Sequence, residues 1–163
     1  MHFNAPAFLT SMGLVSWVVH ATPSPASISS TACPPQYASE IQQRQNFEAF
    51  VQGFYVNKTV AQAFDKYVWV DYIQHNPDVP QGRDAAITYL EGVIPSASIQ
   101  IVHQAFDNNT GYVHHYDSDY IKIVDVYRFD GSCIVEHWDV IANLNASEIN
   151  PTPLATPPPV ITL

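Results

Sequence analysis

Residues 120–142 read YIKIVDVYRFDGSCIVEHWDVIA, and this stretch decides the fold. On both sides of Asp130-Gly131, β-branched and aromatic residues alternate with polar ones, and Asp-Gly is strong hairpin chemistry. Two strands are therefore expected, Tyr120–Phe129 and Ile134–Ala142. Upstream, Ser98–Phe106 and Tyr112–Tyr116 have the same character and are separated by Asp/Asn/Gly turns, so the C-terminal half reads as an antiparallel meander. Asp125 stands in the middle of it, with Ile123 and Tyr127 on its own side by the two-residue period of a strand.

The preceding half has a helical period. Ile41, Phe47, Phe50, Val51, Phe54 and Tyr55 recur along Ala38–Tyr55, with Gln42, Gln43, Arg44 and Glu48 opposite. Thr59 is placed to cap a second helix, Val60–Tyr67. Val68–Gln74 has strand composition, residues 76–82 (NPDVPQG) are turn chemistry, and a third helix over Arg83–Ile94 should stop at Pro95. Helices, a short strand, a helix and a meander make an α+β order, with helices on one face of a curved sheet.

Outside this unit, residues 7–21 (AFLTSMGLVSWVVHA) are apolar but shorter than the ~20 residues of a bilayer span. They fit a signal peptide over residues 1–21, the alternative being a buried N-terminal helix. Residues 22–35 read as a flexible lead-in, residues 36–147 as the folded domain, and residues 148–163 as a Pro-rich disordered tail. Asn57-Lys58-Thr59, Asn108-Asn109-Thr110 and Asn145-Ala146-Ser147 match the glycosylation pattern, so a secreted glycoprotein is expected. Cys33 and Cys133, the only cysteines, could pair in an oxidising compartment, although spacing alone leaves that open.

A net charge of −9 with six Lys and Arg in total leaves no basic patch for nucleic acid or an anionic membrane surface. Charged residues make up 13% of the chain, about half the usual ~25%. With nine Tyr, eight Phe and three Trp, that balance points to either a large core or an apolar cavity wall, and a small hydrophobic molecule is the partner that such a cavity would take. No phosphate loop, nucleophile elbow or helical metal-binding spacing occurs, so neither cofactor nor metal is expected. The competing metal reading would need His114, His137 and Asp139 to converge across strands.

Asp125 is the most informative residue, because aspartate is depleted in strands and costly to bury as an anion. Facing the helices, it must be paired or hold its proton near neutrality. Facing outward, it could pair with Lys122 or Arg128. A two-residue Asp130-Gly131 turn would put Glu136 across from it, and one bulge residue would put His137 there. His114 and His115 point to opposite faces, and Tyr116 shares the face of His114. His75 and Asn76 end a strand, where capping and turn formation are the plain readings.

From about Phe47 to Ala142 the chain resembles the SnoaL-like polyketide cyclases of the NTF2-like superfamily. The resemblance rests on residues 72–77 (YIQHNP), Gly82-Arg83, Val102-His103, and above all residues 124–129 (VDVYRF) followed by 134–140 (IVEHWDV). It implies a cone-shaped α+β barrel, a curved antiparallel sheet around N-terminal helices enclosing a pocket, and a homodimer. It also implies cofactor-free acid/base chemistry: aldol-type cyclisation, isomerisation or dehydration of a small polyketide-like substrate. The implied catalytic residues are Asp125, donating a proton to a developing oxyanion, with His75 and His114. The implied substrate contacts are Tyr72, Asn76, Tyr116, His137 and Trp138. A non-catalytic protein that binds a small molecule is the alternative the same fold allows.

Overall fold

The computed structural model describes residues 32–117 and 121–143. Helix α1 spans Glu40–Val51 and runs into a π-helical turn over Gln52–Val56; α2 is Val60–Tyr67 and α3 is Arg83–Leu90. The strands are β1 Val68–Gln74, β2 Gln100–Asp107, β3 Thr110–Asp117, β4 Ile121–Asp130 and β5 Cys133–Asn143. Every element expected from the sequence is present, within a few residues at its ends.

Helix α1 starts where a reciprocal cap satisfies its first amides. The Ser39 hydroxyl accepts from the Gln42 amide, and the Gln42 side chain accepts from the Ser39 amide at 2.9 Å. Thr59 sits at the N-cap of α2 without capping it; its hydroxyl donates instead to the Gly53 carbonyl at 3.1 Å. Helix α3 stops at Leu90, short of Pro95. Gly92 falls in what would be its last turn, and the chain there closes i→i−3 turns, Gly92 to Tyr89 and Val93 to Leu90.

The sheet order is β1-β5-β4-β3-β2. The last four strands form the antiparallel meander, but β1 pairs with β5 in parallel, aligning Gln74 with His137. An all-antiparallel sheet is thus corrected to a mixed one. The chain leaves β1 through α3 to the far edge, so β1 is left to pair with the free edge of β5, running in the same direction. Register shifts in β1, in β2 and between Arg128 and Phe129 accompany the curvature of this unclosed sheet.

The concave face is covered by α1 and α2. Phe47 lies 5.7 Å from Phe106 and 6.3 Å from Phe129, ring centre to ring centre, and Phe50 lies 5.1 Å from Tyr127. Each such ring, fully buried, contributes roughly 1.5–3 kcal/mol. Cys33 and Cys133 form a disulfide that holds the segment before α1 against the β4–β5 turn. The Ser132 amide donates to the Gln36 carbonyl at 2.8 Å, and Gly131 adopts φ +50° where a Cβ would collide with that carbonyl.

Gly111 permits a close approach of helix to sheet, since a Cβ built there would collide with the ring of the buried Phe47. Gly111→Ala is expected to lower stability by about 1–3 kcal/mol through overpacking. The denaturant midpoint of the folded chain measures it; an unchanged midpoint would show that this contact does not limit the packing.

Candidate active site

The register of the meander puts Asp125 on the concave face, under the helices. It pairs with Val113 in β3 and Asp139 in β5, and it is 6% exposed. Neither Glu136 nor His137 stands opposite. The two-residue turn is Gly131-Ser132, closed by Asp130 and Cys133, and a bulge at Val135 advances the register further. His137 reaches Asp125 diagonally instead, because residues 125, 127, 137 and 139 share one face.

Three donors surround the Asp125 carboxylate. Oδ2 accepts from the Tyr55 hydroxyl at 2.6 Å and lies 2.8 Å from His115 Nε2, while Oδ1 lies 3.0 Å from His137 Nε2. With its proton given to Asp125, Tyr55 accepts from the Tyr127 hydroxyl at 2.5 Å. On the far side of His137, Nδ1 lies 2.8 Å from Gln74 Oε1, and Gln74 Nε2 donates to the Tyr72 hydroxyl at 2.7 Å. Asn76 donates through its side-chain amide to Asp139 and through its backbone amide to Gln74 Oε1.

Burial alone would push the Asp125 carboxyl up. Hydrogen bonds from His115 and His137, and then the electrostatic attraction of these rings, outweigh it and hold the group well below the usual carboxylate range. The expected protonated acid is thereby corrected to a carboxylate. Burial, then the Asp125 charge, pushes the Tyr55, Tyr127 and Tyr72 hydroxyls up, so all three stay protonated donors.

No protein-family model matches this chain, and no curated protein matches it. Solved structures do match. One is an NTF-2-like protein of unknown function from Burkholderia xenovorans, at 13% identity and TM-score 0.55, covering 65% of this chain and 87% of that one. Another is a SnoaL-like protein of unknown function from Burkholderia thailandensis, at 9% identity and TM-score 0.53, covering 66% and 99%. The fold is NTF2-like.

Within this NTF2-like fold the residues expected at the site divide between two faces. Asp125, His137 and Tyr72 belong to the buried cluster, and Asn76 joins its rim through Asp139. His114 does not: Asp125 pairs with Val113, so the odd-numbered residues of β3 share its face, and His115 takes the place expected for His114. His114 and Tyr116 lie on the outer face, where the two rings are 5.6 Å apart. His75 and Trp138 are also outside, stacked at 4.8 Å, with His75 Nε2 2.8 Å from Glu136 Oε1 and Arg128 donating to Glu136 Oε2 at 2.6 Å. Tyr55, Gln74, His115, Tyr127 and Asp139 are the members not anticipated as site residues. Tyr127 had a signal in its parity with Asp125, and Gln74 in the run of hydrogen-bonding side chains that ends its strand. His115 and Asp139 had one in the histidine pair and the acidic strand they belong to, whereas Tyr55 had none beyond its helical period. Asn57 and Asn108 are exposed, and Asn145 falls outside the described residues.

Asp125, His137 and Asp139 bring potential ligand atoms within 4.8 Å of one another, a composition that could suit a divalent cation. However, the ring nitrogen and carboxylate oxygen such an ion would need are hydrogen-bonded to each other, so the trio fits a proton network better. Beside the cluster, between the π-turn and β2, a hollow of about 330 Å³ is lined by Tyr55, Val56, Lys58, Ser98, Ile99 and Ile101. Tyr55 packs 5.2 Å from His115, and Ile101 pairs with it across the strands. A larger hollow of about 460 Å³ beside the β4–β5 turn contains none of the cluster.

A depressed Asp125 carboxyl contributes stability that is present above the unfolded value of about 3.9 and lost as pH falls toward the folded one. Wild-type chain is therefore expected to lose denaturant resistance between about pH 5 and pH 3, while Asp125→Asn lacks that component. At neutral pH the variant should already be weaker, by about 3–5 kcal/mol, because the buried His115 and His137 lose the charged acceptor they share. Parallel acid slopes for the two proteins would show that Asp125 does not carry the linkage.

Proposed function

We propose that this NTF2-like domain is a cofactor-free acid/base enzyme for a small, apolar, oxygenated carbon acid, with His115 as base and Asp125 as its counter-charge. One observation carries the reading. His115 is buried and turns Nε2 to Asp125, while among the described residues its Nδ1 has no hydrogen-bond partner. A ring that donates from Nε2 keeps its lone pair on Nδ1, which is the atom free to accept a proton.

In the proposed reaction, Nδ1 takes a proton from the carbon beside a carbonyl, and the electron pair moves to the carbonyl oxygen as an enolate. The imidazolium is stabilised at 2.8 Å by the Asp125 carboxylate, itself steadied by Tyr55. The same proton then returns to a different carbon, giving isomerisation, or the enolate carbon bonds to an internal carbonyl carbon whose oxygen takes that proton from the imidazolium, giving a hydroxylated ring. The hollow beside Tyr55 is walled partly by Val56, Ile99 and Ile101, which suits an apolar substrate. Its volume falls in the usual range for small-molecule sites. The net charge of −9 disfavours an anionic one.

The test is hydrogen–deuterium exchange at the carbon acid of apolar ketones and 1,3-diketones in D2O, followed by NMR. Wild-type chain should accelerate exchange over buffer, with His115→Gln and Asp125→Asn each losing about 10²–10⁴-fold. Binding without exchange, or equal rates in all three proteins, overturns the reading.

We also infer an exported, glycosylated homodimer. The Cys33–Cys133 disulfide supports an oxidising compartment, and the outer sheet face leaves Ile73, Tyr112 and Val140 exposed. Protein secreted from a eukaryotic host should have an intact mass that begins after Ala21 and includes sugar. It should sediment at twice the protomer mass. Retention in the cell, or an unglycosylated monomer, counts against this assembly.

A further inference from the structure

We propose that Gln74 is a positioning residue that fixes a proton on each nitrogen of His137, making His137 an imidazolium beside Asp125 and leaving His115 the neutral ring. The inference deepens the acid/base reading above and rests on it for its catalytic meaning.

One donor in the network cannot be reversed. The backbone N–H of Asn76 points at the buried Gln74 side chain at 2.9 Å, so the atom it meets must be Oε1. The other amide atom, Nε2, donates to the Tyr72 hydroxyl. The Gln74 backbone is itself held at both polar groups by the side chain of Gln81. The amide is thus locked, and its oxygen presents an acceptor 2.8 Å from His137 Nδ1. An acceptor facing that nitrogen requires a proton on it.

The opposite nitrogen, Nε2, faces Asp125 Oδ1 at 3.0 Å. Oδ2 already receives Tyr55 and His115, and a carboxyl with two donors on one oxygen keeps its charge. The proton on the Nε2–Oδ1 axis therefore resides on the ring. His115 differs because its second nitrogen has no partner among the described residues, and a proton there would be a buried orphan donor. Two imidazoles on one carboxylate are split by what lies behind each. Such a split separates a base from a counter-ion.

The surroundings of His137 agree with a cation. From β4 it meets Asp125 and the stacked Tyr127 ring at 4.6 Å; from β1, Gln74 and, behind it, Tyr72. Asp139 of its own strand shares its face, and Tyr55 and His115 reach it through Asp125. Two carboxylates and no Lys or Arg are among these groups.

The experiment is ¹⁵N NMR of the full, disulfide-intact chain labelled at histidine, with His137 assigned from the signals missing in His137→Gln. In wild-type protein at neutral pH both His137 nitrogens should have protonated shifts, and His115 should show one bare nitrogen. Gln74→Met removes the acceptor at similar volume and should lower the doubly-to-singly protonated ratio of His137 about tenfold, the loss of one hydrogen bond to a charged group. Gln74→Glu keeps an acceptor and should retain both protons. A bare nitrogen on wild-type His137, or a ratio unchanged in a Gln74→Met chain with native near-UV dichroism, overturns the proposal. Turnover plays no part in these spectra, so a failure of the acid/base reading leaves this test standing.

Discussion

A carboxylate taken out of water must be surrounded by donors, and the interior of this protein is arranged around that requirement. Asp125 receives Tyr55 from the π-turn, His115 from β3 and His137 from β5, each at hydrogen-bonding distance. Three elements far apart in sequence thus converge on one group. Leaving any donor out would leave the anion under-compensated in a medium where charge is expensive. The second layer obeys the same rule: Tyr127 serves Tyr55, and Gln74 serves His137.

The π-turn after α1 follows from this arrangement. Helix α1 packs Phe47 and Phe50 on the sheet, and the wider turn over Gln52–Val56 carries Tyr55 to the carboxylate. Such turns are frequent at functional sites because they re-aim one side chain without ending the helix. The neighbouring hollow opens on the same turn, so the group that steadies Asp125 also forms part of the hollow's wall.

The two faces of the sheet keep separate chemistries. On the concave side the ionised acid is buried and its histidines are sequestered. On the convex side burial pushes the Glu136 carboxyl up, and hydrogen bonds from His75 and Arg128 together outweigh it and hold the group below its ordinary value. His75-Trp138 stacking belongs to that outer cluster. Strand alternation is the reason: Glu136 and Trp138 point out where His137 and Asp139 point in.

Period and turn chemistry in the sequence determined the elements: α2 and β1 match their expected bounds, the meander follows Asp130-Gly131, and Asp125 stands out as an acid in an apolar strand. Which partners that acid would find was not legible. The bulge at Val135 and the Gly131-Ser132 turn set the β4–β5 register, and the β3–β4 register chose His115 over His114. A strand reads the same in sequence whichever face is buried, because its two-residue period gives parity but not sign. Only the packing of helices on one side assigns the inside. That decision also fixed the charge of Asp125, since ionisation depends on which donors arrive, and Tyr55 and Gln74 arrive from elements that no local pattern connects to β4.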